Sequence, residues 1–159
     1  MDLILNLLKE NFRTDLAIFL AAAVPFTELR AAIPLAVSLG IAPFYAFWLG
    51  VLGNLLPLPF LLIGLDPLVN FIRQTPLFGL DRFFDWLYRR TAKKSDKVDR
   101  YGALSLIFFV AIPLPTTGVW TAAVAASIFR IRFVPAFAAI ALGVLMAGIL
   151  VTLLSVGFF

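Results

Sequence analysis

The chain has no cysteine and no histidine. The first absence removes disulfides and thiol nucleophiles, and the second removes imidazole proton relays and every histidine-based triad. Together they remove zinc sites of the common kind, so no metal or cofactor is expected and most hydrolase chemistry is excluded. Charge is scarce as well: 14% of residues are charged against 62% hydrophobic, and mean hydropathy is +1.02. No charge at all occurs over residues 31–65, 101–129 or 133–159. Such runs exceed the buried core helix of a soluble domain and read as membrane segments. The fold class these absences leave is an all-α integral membrane protein of one domain.

The net charge of +4 does not point to nucleic acid, because the cations collect in loops beside apolar segments, where membrane topology explains them. Residues 16–24 imitate a signal peptide, with Ala21-Ala22-Ala23 as its cleavage site. The acids Asp2, Glu10 and Asp15 stand where a basic region is required, so no cleavage is expected.

Residues 1–15 place Leu3, Ile4, Leu7, Leu8 and Phe12 on one stripe and predict a helix lying on the membrane surface. Residues 16–40 are long enough to span, yet Pro25, Glu28, Arg30 and Pro34 interrupt them. An interior proline costs about 3 kcal/mol and a central charge about 2.5–3.5 kcal/mol, which protein or water must offset. Each arm, 16–24 and 31–40, reaches about half of a hydrocarbon core of about 30 Å, which predicts a re-entrant hairpin. Residues 43–65 form the first crossing helix, with Ala46, Gly50 and Asn54 on a close-packing stripe and Pro57 and Pro59 kinking its end.

Residues 66–100 read as a cytoplasmic basic loop holding eight Lys or Arg against five Asp. Within it Leu77, Leu80, Phe83, Phe84, Leu87 and Tyr88 mark the apolar face of an amphipathic helix. The first pattern then recurs. Residues 103–129 form a second hairpin, broken by Pro113, Pro115, Thr116, Thr117 and Gly118, and residues 133–157 cross with the stripe Ala139, Gly143 and Ala147. Pro25 and Pro113 occupy corresponding places. One crossing per repeat inverts the second unit relative to the first, so two inverted repeats are expected. Lys/Arg counts do not separate this reading from four ordinary crossings: either way ten cations lie on one side and two on the other. The breakers at the centre of both unusual segments favour hairpins.

The chemistry concentrates at the first break. Glu28 and Arg30 lie two apart, so on a helix they point about 200° away from each other and cannot form the usual neighbouring pair. Thr27 is placed to cap the arm beginning near Glu28, and Thr116 or Thr117 the arm through Trp120. Two helix N-termini with Arg30 beside them suit a phosphate or carboxylate, and Glu28 suits proton coupling. Asn54 can hydrogen-bond a neighbour. The competing reading is structural: Glu28 and Arg30 satisfy broken backbone and each other, Pro113–Pro115 is only a backbone break, and Trp120 only packs. Ionisable groups inside a membrane are costly and usually functional, which favours the first.

Residues 24–34 (VPFTELRAAIP), 53–57 (GNLLP) and 111–121 (AIPLPTTGVWT) resemble the small multidrug export family of prokaryotic membrane proteins. The family pattern favours Gly where this chain has Thr116 and Ala122. A more distant similarity is to DedA-type proteins, which have paired re-entrant hairpins and are linked to lipid-phosphate translocation across the inner membrane. The resemblance implies an export role in the prokaryotic cytoplasmic membrane. The residues and the resemblance together lead to a non-enzymatic transporter or flippase, surrounded by membrane lipids, moving an anionic or amphipathic substrate such as a lipid phosphate as a homodimer. The alternative is a non-transporting scaffold or assembly subunit; an intramembrane enzyme lacks the residues it would need.

Overall fold

The computed structural model describes residues 2–74, 95–112 and 118–158. Seven helices are seen among the described residues: α1 (Asp2–Ala23), α2 (Glu28–Ser38), α3 (Pro43–Leu55), α4 (Leu58–Gln74), α5 (Ser95–Ala111), α6 (Val119–Ile128) and α7 (Phe133–Phe158). Two stretches, Pro43–Leu65 and Phe133–Phe158, are long and apolar enough to cross a membrane. The helices divide into two compact units. One holds α1, α2, α3 and α7 from Leu145 onward; the other holds α4, α5, α6 and α7 up to Val144.

Helix ends follow local chemistry, and several differ from the sequence expectation. No Gly or Pro occurs between Asp2 and Ala23, so the surface stripe of residues 1–15 and the apolar arm from residue 16 form one helix rather than two elements. Thr14 returns its hydroxyl to the Glu10 carbonyl at 3.0 Å and leaves the helix intact. α1 stops where Pro25 removes an N–H and disfavours helical geometry at Val24. Pro34, expected as a breaker, lies inside α2, held there by the burial of Leu29, Ala32, Ile33 and Ala36. The segment 66–100 is not all loop: α4 continues through Pro67 to Gln74 and α5 begins at Ser95. A charge ends an apolar run without ending a helix. The amphipathic stretch Leu77 to Tyr88 lies outside the described residues. The first span is interrupted at Leu56 and Pro57 rather than kinked at its end; Pro57 has no N–H to give the Gly53 carbonyl, and Leu56 donates to it at 3.3 Å.

The same local pattern occurs in each unit. After α2 the N–H groups of Leu39, Gly40 and Ile41 donate to Leu35, Val37 and Ala36, each at 3.0 Å. After α6, Phe129, Arg130 and Ile131 donate to Ala125, Ser127 and Ala126 at 2.9, 3.2 and 2.9 Å. Both are Schellman caps with a left-handed residue, Gly40 at φ +82° and Arg130 at φ +52°. The two caps are offset by 90 residues. The same offset relates buried Leu29, Ala32, Ile33 and Ala36 to buried Val119, Ala122, Ala123 and Ala126. Before the breaks the offset is 88, relating Ile18 and Ala22 to Leu106 and Val110. Carried into the break along the sequence, the offset of 88 aligns Pro25 with Pro113, and the offset of 90 aligns Pro25 with Pro115 and Thr27 with Thr117.

Packing is by close approach over small residues, since lipid supplies no hydrophobic drive between helices. In the first unit Ile18, Ala22, Ala32, Ala36 and Ala46 form the core. A Cβ on Gly53 would collide with the Phe19 carbonyl oxygen and stand 2.9 Å from Ala22 Cβ. In the second unit a Cβ on Gly143 would stand 2.9 Å from the Ile107 carbonyl oxygen and 2.7 Å from Val110 Cβ. These are the same contacts at the same offsets. Gly53→Ala should therefore destabilise the protein by about 1–3 kcal/mol. Gly64→Ala, where nothing lies within 4 Å, should not. Thermal unfolding of both variants in detergent checks this, and equal midpoints would contradict the packing.

Candidate functional site

The break between α1 and α2 is four residues long, and several of its polar groups are paired within the chain. The Thr27 hydroxyl donates to the Ala21 carbonyl at the end of α1. Thr27 does occupy the cap position of α2, but its side chain makes no capping bond there. It closes the preceding helix instead of opening the following one. The Glu28 N–H donates to the Val24 carbonyl at 3.0 Å, and the Ala31 N–H to the Thr27 carbonyl at 3.1 Å.

Glu28 stands out twice. Its φ is +46°, the left-handed region that costs an L-residue about 1–2 kcal/mol. Its residue is also 7% exposed, so an ionisable side chain is buried on strained backbone. That combination collects at functional sites. Arg30 is half-buried, and the Glu28 carboxylate acts on it coulombically.

Asn54 is 1% exposed and its Oδ1 has no hydrogen-bond partner. The first unit's contacts place it. Tyr45 donates to Asp15 Oδ2 at 3.0 Å at one end of the α1–α3 contact, and Gly53 meets Phe19 and Ala22 further along, so α3 runs parallel to α1. α2 folds back against both, and a Cβ on Gly50 would lie 2.5 Å from Ile33 Cγ1 and 3.6 Å from Leu29 Cβ. One turn beyond Gly50, Asn54 comes level with the α1–α2 break.

The break before α6 is only partly described: Pro113, Pro115, Thr116 and Thr117 lie outside the described residues. The cap position of α6 is held by Gly118, buried and in extended conformation at φ −135° and ψ −171°. Its N–H donates to Thr121 Oγ1 at 2.9 Å, half of a capping box. Neither Thr116 nor Thr117 is the residue next to the helix. Trp120 is half-buried on the first turn. At the offset of 90 residues, Glu28, Arg30 and Asn54 align with Gly118, Trp120 and Val144, so the polar set belongs to the first unit. Thr121, missed in the sequence reading, was detectable by its spacing of three from Gly118. The Asp15–Tyr45 bond, thirty residues apart, carried no such signal.

Thr27→Val should lower stability by about 1 kcal/mol by leaving the Ala21 carbonyl without its hydroxyl donor. Thr27→Ser should retain it. Chemical denaturation of the detergent-solubilised variants compares the two, and equal loss in both would contradict the bond.

Compared with known protein families, residues 28–150 match the family described as "Putative small multi-drug export protein". The match begins at Glu28, takes in the whole of the first apolar span and follows the second as far as Leu150. Neither a curated protein nor a solved structure matches the chain.

Proposed function

This chain belongs to the small multi-drug export family, and we propose that it is a proton-coupled membrane transporter whose working site is built on Glu28, Arg30, Thr27 and Asn54. The observation that carries the reading is Glu28, a buried acid held in left-handed backbone inside an otherwise apolar region. Arg30 offers a planar fork of donors that suits a phosphate or carboxylate, so the substrate is an anionic or amphipathic small molecule. The distant DedA-like resemblance extends that class to lipid phosphates. An ionised Glu28 holds the charge of Arg30, and a protonated Glu28 releases it to the substrate. Proton and anion thereby move together.

Both breaks fit re-entrant hairpins of an inverted repeat. The Asp15–Tyr45 bond joins the entry of the first hairpin to its exit. A Cβ on Gly102 would lie 3.0 Å from Ile131 Cδ1, joining the entry and exit of the second. Arg130 donates to Asn70 Oδ1 at 3.4 Å, and Asn70 follows the first span. Four full crossings would put the members of each pair on opposite membrane faces, so these contacts support the hairpin reading where charge counting favours neither. The reading includes a homodimer, because two spans enclose little pathway, and the cytoplasmic membrane of a prokaryote.

In proteoliposomes loaded with an anionic amphiphilic dye, Glu28→Gln and Arg30→Ala should each abolish pH-driven dye movement while eluting as the wild-type protein does; transport unchanged in both would overturn the proposal. Single cysteines, introduced into a chain with none of its own, test topology. Cysteines at Arg13 and Ala42 should react with an impermeant maleimide from one face, and cysteines at Tyr101 and Arg132 from the other. Arg13 and Ala42 reacting from opposite faces would exclude the first hairpin.

A further inference from the structure

Hydroxyls within the apolar helices return their proton to their own helix: Ser105 to Tyr101 at 2.9 Å, and Thr152 to Gly148 and Ser155 to Val151, both at 2.7 Å. Two buried polar atoms among the described residues have no partner, Ser127 Oγ and Asn54 Oδ1. A serine hydroxyl rotates to suit either role, whereas an amide oxygen only accepts. The Asn54 oxygen therefore requires a donor from elsewhere. Packing does not explain the amide, because Val144 occupies the aligned position and is fully buried without one.

The donor can be sought among the titratable and charged groups of the elements around Asn54. On α1 these are Asp2, Lys9, Glu10, Arg13 and Asp15, all preceding residue 16 and so at least two turns from the break. On α3 the only one is Tyr45, occupied with Asp15. The part of α7 in this unit has none. Glu28 and Arg30 remain, and Glu28 is the buried one.

We propose that Asn54 Oδ1 is the acceptor for protonated Glu28, and that this hydrogen bond is the proton-loaded state of the site; the inference rests on reading Glu28 as the coupling residue. With Glu28 ionised, its carboxylate acts on Arg30 and the Asn54 oxygen is without a donor. A proton from water adds to one Glu28 carboxylate oxygen, forming a single O–H bond. The neutral carboxyl no longer holds the charge of Arg30, and its O–H is given to Asn54. No other bond changes.

Infrared difference spectroscopy of the purified full-length protein, recorded as pH is lowered, reads this state without requiring transport. Wild type should show the C=O stretch of a protonated, hydrogen-bonded carboxyl. That band should vanish in Glu28→Gln and shift to the higher frequency of an unbonded acid in Asn54→Val. The valine variant reproduces what the second unit already buries, and an unchanged gel-filtration profile verifies its fold. A band in the same place in Asn54→Val, or no band in wild type, would overturn the inference. A shifted band in a protein that moves no dye would support the inference and overturn the transport reading alone.

Discussion

Hydrocarbon offers no hydrogen bonds, so wherever this chain leaves helical geometry inside an apolar run the freed N–H and C=O groups must be answered by the protein itself. The breaks and turns are organised around that demand. Thr27 answers Ala21, the Glu28 N–H answers Val24, and Thr121 answers Gly118. The turns after α2 and α6 use the same three backbone bonds to finish their helices. Meeting the demand at the first break draws Glu28 into left-handed backbone. Strain and buried charge thus fall on the same residue.

The second organising feature is the close approach that Gly53 and Gly143 permit. Each lets a span lie against the carbonyl and side chain of the helix before the break, α1 or α5, three residues apart, in its own unit. Around these contacts many buried positions of the two units coincide, Leu29, Ala32, Ile33, Ala36 and Ala46 with Val119, Ala122, Ala123, Ala126 and Ala136, while the chemistry does not. Where the first unit has Glu28, Arg30 and Asn54, the second has Gly118, Trp120 and Val144. A backbone pattern that accepts both sets needs neither for packing, which separates the polar residues from the architecture that carries them.

Much of this was legible in the sequence, because hydropathy, proline and small-residue spacing report on lipid, breaks and close packing. The two spans, the breaks near Pro25 and before Val119, and the stripe of Ala46, Gly50 and Asn54 could be read directly. Helix ends governed by charge could not. α4 passes Asp66 and Pro67 because an amphipathic helix tolerates both beyond the apolar core. The role of Thr27 was misplaced for a related reason: a hydroxyl at a break can serve the helix behind it as readily as the one ahead, and only geometry distinguishes them. The orphan state of Asn54 is a property of three converging helices and has no signature in one.

The division of α7 between units bears on how the protein is made. The first unit comprises residues up to Pro57 and then, after a gap of most of the chain, Leu145 onward. Gly148 fits against Phe47 and Val51 there. During synthesis that slot is formed early and stays empty until the ribosome has added nearly a hundred further residues. For that interval α1, α2 and α3 must persist as an incomplete bundle, without the face that α7 will cover. Loss of the last turns of α7 would therefore be felt in α3, which is translated nearly a hundred residues earlier.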